Sequence, residues 1–149
     1  MNGEKALNQA MDLIADFRQS EAEEVLQGLI GDLRDGMDGT VADADRHFCW
    51  GRALYLLEEP EQALLRFEQA LQILPDHEYA LWEMASILLH DLDKPESAKS
   101  LLEQRLMRLR PSHPPYAEAL AAAETLIRRR EGRPVQDWDM GQGPGFPDP

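Results

Sequence analysis

Four histidines, one cysteine and 28 acidic side chains are the groups through which this chain could do chemistry. A transition-metal site needs several His, Cys or carboxylate ligands at short, fixed spacings. His47, His77, His90 and His113 lie far apart, and no His-x-x-x-His, Cys-x-x-Cys or carboxylate-flanked pair brings ligands together. Cys49 stands alone between Phe48 and Trp50, so no internal disulfide can form. A thiol wedged between aromatics on a helix is expected to be a small buried filler with a raised pKa, not a nucleophile. The chain has no Gly-x-Ser-x-Gly elbow, phosphate-binding glycine loop or calcium loop. Glu21, Glu23, Glu24, Glu58, Glu59 and Glu61 fall in first turns or helix junctions, where the helix dipole and the solvent favour them. Arg128, Arg129 and Arg130, followed by Arg133, form the single basic cluster. Cations at a helix C-terminus complement its dipole, and the functional alternative is a dock for an acidic segment. No catalytic residue, metal or cofactor is expected.

The charge balance narrows the partners further. With 15 basic residues against 28 acidic ones, the formal net charge is -13. Phosphate backbones and anionic lipid surfaces need clustered Lys and Arg, so neither nucleic acid nor membrane insertion is expected. The N-terminal segment has no basic stretch followed by an apolar run, and no stretch approaches the ~18 apolar residues of a spanning helix. The expected location is cytoplasmic. At 149 residues and 43% apolar content, the chain suits one folded unit.

What must position any site is a set of helices in pairs. Residues 46–75 read as two helical patterns about a break at Glu58-Glu59-Pro60. Pro60 is tolerated only near a first turn, so it marks the start of the second helix. Ala63, Phe67, Ala70, Leu71 and Leu74 then share one apolar face, and Pro75 ends it. Residues 77–111 repeat the plan, with a break at Asp91–Pro95 and a closing Pro111. Residues 4–34 carry a degenerate pair, with a capping-box signal at Ser20–Glu23, and Asp35–Asp43 is a loop. Residues 114–130 form a last amphipathic helix. Residues 131–149 hold four glycines and four prolines and are expected to be disordered.

These spacings resemble the tetratricopeptide repeat family, whose period is 34 residues. Gly51 matches the small residue of helix A, and Ala63, Phe67, Ala70 and Pro75 match the helix B signature. In the next repeat Leu81, Met84, Ala85 and Leu88 correspond, then Ala98 and Leu102 after a one-residue insertion, with Arg105 where a small residue belongs. The resemblance implies an all-α fold, a short right-handed superhelix of antiparallel helix pairs with about seven helices. Repeats fall at 44–75 and 78–111, and the helix at 114–130 caps a domain spanning 1–130. The small residues let helices approach closely while large ones fill the gaps.

The resemblance also implies that helix A residues line a concave peptide-binding face. On this chain they are Asp45, Phe48, Arg52, Tyr55 and Leu56, then Tyr79, Trp82, Ser86, Leu89 and His90. Aromatics beside an Arg are the residue types that dominate binding hot spots. The alternative is that some of them, Tyr55 and Leu56 above all, pack against a neighbouring helix. Family members that clamp a carboxylate use Lys and Asn where Phe48, Arg52, Trp82 and Ser86 stand here, so an apolar or aromatic segment is expected.

The expected function is therefore a non-enzymatic adaptor or assembly factor. Its length, acidity and repeat number are also similar to chaperones of type III secretion that hold exported proteins. A structural role is a third reading, with a homodimer formed through Leu7, Met11 and Ile14 of residues 5–34. The apolar residues Val135, Trp138, Met140 and Phe146 of the tail could also reach the groove.

Overall fold

In the computed structural model, which describes residues 3–132, seven helices follow one another with no strand among the described residues. They are α1 (Gly3–Ala15), α2 (Gln19–Asp35), α3 (Asp43–Leu56), α4 (Pro60–Ile73) and α5 (Glu78–His90). Helix α6 runs through Pro95–Leu101, a π-helical turn Leu102–Leu106 and a last stretch Met107–Leu109. Helix α7 is Pro114–Arg130. Proline opens α4, α6 and α7, where its missing N–H would have had no intrahelical partner anyway. Each helix packs on the next, and α1 also touches α3. None of the described helices is long and apolar enough to cross a membrane.

The three pairs α1–α2, α3–α4 and α5–α6 turn alike. Each connection carries one residue with positive φ, at Phe17 (60°), Glu58 (63°) and Asp93 (52°), two residues before the second helix begins. The residue between donates its N–H back to the first helix, Arg18 to the Leu13 carbonyl (2.8 Å), Glu59 to Leu54 (3.0 Å) and Lys94 to Leu88 (2.7 Å). The third turn reaches one residue further back, because four residues separate α5 from α6 where three separate the other pairs.

Packing repeats with the turns. Ala10, Gly51 and Ala85 are buried at one position of the first helix; Ala22, Ala63 and Ala98 are buried at one position of the second. Leu26, Phe67 and Leu102 fill the space between, all without solvent exposure. Residues 3–35 thus form a pair laid out like the others. A β-carbon on Gly51 would lie 2.5 Å from Cε1 of Phe67, so α3 and α4 approach closely only because that carbon is absent.

The two residues beyond a strict repeat have places. Gly51 to Ala85 is a step of 34, Ala63 to Ala98 is 35, and Pro75 to Pro111 is 36. One extra residue sits in the α5–α6 turn. The other is absorbed by the π-helical turn, which is how an α-helix takes an insertion without losing its buried face. Leu106 then occupies the buried place of Ala70, and Arg105 swings out to donate to the Pro75 carbonyl. This is why no small residue is needed at Arg105.

At the N-terminal pair, α2 begins one residue before the expected capping box. Arg18 takes the cap position without a side-chain cap and instead grips Glu21 through two hydrogen bonds, at 2.7 and 2.5 Å. The expected loop spans 36–42 and is held by Asp43, whose carboxylate accepts from the Asp38 and Gly39 amides and from Arg46 at 2.8 Å. Helix α7 buries Tyr116 and Ala123 against α5 and α6. Glu131 and Gly132 form the turn after α7, and the remaining tail, with Val135, Trp138, Met140 and Phe146, lies outside the described residues.

Candidate functional site

The N-terminal ends of the first helices α1, α3 and α5 share one cleft and their C-terminal ends another, so the three run in the same direction. One, of about 390 Å³, gathers the N-terminal ends: Gly3, Glu4 and Leu7 of α1, Asp45, Phe48, Cys49 and Arg52 of α3, and His77 and Tyr79 at the start of α5. The other, of about 500 Å³, gathers the C-terminal ends and the turns after them: Ile14, Gln19, Tyr55, Leu56, Glu58, Pro60 and Asp91.

Phe48 organises the first cleft. Its ring lies 5.7 Å from that of Phe67 in the core, 5.1 Å from His77 and 6.1 Å from Tyr79. The Arg52 guanidinium stands 6.0 Å from the Phe48 ring centre, within reach of its negative π-face. His77 locks the next pair in place. Its Nδ1 accepts from the Ala80 N–H (3.2 Å), capping α5, so its proton sits on Nε2 and is donated to Asp45 Oδ1 at 2.9 Å. Only 7% of the His77 side chain is exposed, whereas Tyr79 is 70% exposed. The cleft thus has a rigid wall and a free aromatic lip. Burial pushes the Cys49 thiol up, away from thiolate reactivity.

In the second cleft, the Tyr55 hydroxyl donates to Asp91 Oδ1 at 3.5 Å. Burial first, then that hydrogen bond and the charges of Asp91 and Glu83, hold the phenol above its ordinary range. Glu83 lies on α5 between the two clefts. Its carboxyl is pushed up by burial, an effect that Arg52 offsets only in part.

The structure brings Asp45, Phe48, Arg52 and Tyr79 together in one cleft and places Tyr55 and Leu56 in the other. Trp82 turns toward α7, its ring 5.2 Å from that of Tyr116. Ser86 is half-buried on α5, and His90 is exposed in its last turn. Leu89 does not face the groove: it is 5% exposed and packs with Ala98 and Ala123. Leu7 is buried too, so of the three residues expected to drive self-association only Met11 is exposed and Ile14 is half-buried. The polar side chains Lys5, Asn8, Gln9 and Asp12 cover another face of α1.

His77, Glu83, Asp91 and the α1 residue Glu4 were not among the expected groove residues, whereas Leu7, at a groove position of the degenerate first repeat, does line the first cleft. His77 precedes α5 and so lies outside a helix-based list; its spacing from Asp45 carries no signal. Glu83 was findable, one turn beyond Tyr79 on the same helix face.

Away from the groove, Arg66 lies over the Trp50 ring at 3.7 Å, and His47 stacks on that ring. No group of three His, Cys, Asp or Glu side chains converges among the described residues. No protein-family model matches the chain, and no curated protein or solved structure matches it.

Proposed function

We propose that this chain is a non-enzymatic protein-interaction module, an adaptor or assembly factor that holds a segment of another protein along the faces of α1, α3 and α5. The proposed scaffold is a tetratricopeptide-like right-handed superhelix. The observation that carries the reading is the Phe48–Tyr79 lip: an aromatic ring 70% exposed, backed by a ring anchored in the core and flanked by Arg52. Rigid aromatics with an adjacent Arg bury much area on binding at little cost in rotamer entropy. The helix pairs beneath it are held by small-residue packing and a capped α5, so the surface is preorganised, which lowers the entropic cost of association.

The test is co-purification from cells of the native host, comparing the unaltered chain with Tyr79→Ala and Phe48→Ala. Tyr79→Ala removes a mostly exposed ring whose aromatic contacts are with Phe48 and His77, and should leave the melting temperature within about 2 °C. A partner retained by the unaltered chain and lost by Tyr79→Ala supports the groove. A full set of partners retained by both folded variants refutes it.

A further inference from the structure

The two ends of the groove differ in charge. Each helix presents about half a positive charge at its N-terminus and half a negative charge at its C-terminus. At the first cleft the N-termini of α1, α3 and α5 are matched by acidic residues in their first turns, Glu4, Asp43 with Asp45, and Glu78. In the first cleft Arg46 and Arg52 balance Glu4 and Asp45. At the second cleft the C-termini of α1, α3 and α5 meet the first residues of α2 and α4, Gln19 and Pro60, so opposite helix ends offset one another and side-chain charge sets the balance. No Lys or Arg lines that cleft; Glu58 and Asp91 do, over an apolar floor of Ile14, Leu56 and Pro60. Neither carboxylate enters an ion pair among the described residues, and Glu83 stands within electrostatic reach of Tyr55.

We infer that the segment held in the groove is cationic, placing an Arg or Lys side chain in the cleft at Tyr55, Glu58 and Asp91 while an apolar or aromatic side chain rests on Phe48 and Tyr79. This rests on the function proposed above and adds the partner's chemistry. An aliphatic stem suits the apolar floor, and the charged head meets two carboxylates and a phenol oxygen. The net charge of -13 steers such a partner toward the chain and repels acidic competitors. Phe48 and Leu56 are eight positions apart on α3, about 12 Å at 1.5 Å per residue. An extended segment covers that distance in about three to five residues, which sets the spacing between its apolar anchor and its cation.

The test selects a random 12-residue phage-displayed peptide library on the immobilised full chain, then measures synthetic copies of the winners by fluorescence anisotropy. The expected winners pair an aromatic or large apolar residue with Lys or Arg three to five positions away. They should lose binding to Tyr79→Ala and bind the double variant Glu58→Gln, Asp91→Asn about tenfold more weakly. Both substituted carboxylates are exposed, and circular dichroism establishes that the variant folds. Winners that depend on Tyr79 but lack a basic residue, or that bind the neutralised variant as tightly, overturn the inference and leave the groove standing. If no winner depends on Tyr79 or Phe48, the inference and the function beneath it both fail.

Discussion

Gly51→Ala isolates the contact on which the central helix pair depends. In a helix interior, Ala is favoured over Gly by about 1 kcal/mol, so propensity alone makes the variant more stable. The new β-carbon, however, would sit 2.5, 2.8 and 2.9 Å from three ring carbons of Phe67, against an ordinary contact of 3.4–4 Å. The ring must retreat by about 1 Å. It has nowhere to go, being fully buried among Ala63, Ala70, Ala80, Met84 and Ile87. Overpacking of this kind costs about 1–3 kcal/mol, so that after the propensity gain the net loss reaches up to about 2 kcal/mol. At roughly 2–4 °C per kcal/mol for a chain of this size, the melting temperature should fall by up to about 8 °C. Urea unfolding followed by circular dichroism reads it directly. Two controls sharpen the result. Gly28, exposed on α2 with nothing within 4 Å of its added carbon, should gain about 0.5–1 kcal/mol as Ala. Phe67→Leu shortens the side chain, so the double variant with Gly51→Ala should be at least about 1 kcal/mol more stable than the two single effects add up to. If Gly51→Ala stabilises the protein as Gly28→Ala does, the close-approach account of α3 and α4 is wrong.

Three further outcomes follow from other parts of the fold. Deleting Gln104 should convert the π-helical turn to regular helix and cost less than about 1 kcal/mol, whereas deleting Gln69 from the regular α4 should turn Ala70 off its buried face and cost more than about 3 kcal/mol; paired melts decide. Phe17, 95% exposed at a φ of 60° that suits Gly or Asn, should gain about 0.5–1 kcal/mol as Asn, and a lower melting temperature would mean that its ring packs on something. Glu83 is held above the ordinary carboxylate range by burial, so the folded protein binds its proton more tightly than the unfolded chain does and loses stability as pH rises through the folded-state value. Glu83→Gln should therefore melt higher than the unaltered chain at pH 7, with the gain closing near pH ~4, where the unfolded chain is also protonated; an equal gain at both pH values would assign the effect to packing.

Much of the helical layout was legible because proline and small residues have strict positional meaning. Pro60 and Pro95 open second helices, and Gly51, Ala63, Phe67 and Ala70 carry the packing face of the central pair. The N-terminal pair was harder to read, since its equivalent residues Ala10, Ala22 and Leu26 lie 41 positions before Gly51, Ala63 and Phe67. The longer α2 and the loop pinned by Asp43 account for that offset, which no 34-residue search aligns. The inserted residues were countable but not placeable, because nothing in Leu102–Leu106 distinguishes a π turn from an α turn until Leu106 must be buried and Arg105 must not. Position within the expected repeat picked out Phe48, Arg52 and Tyr79, which share one cleft, but misjudged Leu89, where α7 closes over the end of α5. His77 was invisible for the opposite reason: it lies outside any helix, and its role comes from two hydrogen bonds, one donated to Asp45 of α3 and one accepted from Ala80 of α5.

Site-specific photo-crosslinking in the native host tests the central claim most directly, with the crosslinking side chain at Tyr79 in one variant and at Leu65 in another. Both positions are exposed, Tyr79 on the cleft and Leu65 on the face of α4 that lines neither cleft. The account predicts that Tyr79 forms a discrete adduct with a short segment of a partner, identifiable by mass spectrometry, and that Leu65 does not. Adducts that are equal from both positions, or absent at Tyr79 while the chain is folded, would contradict it.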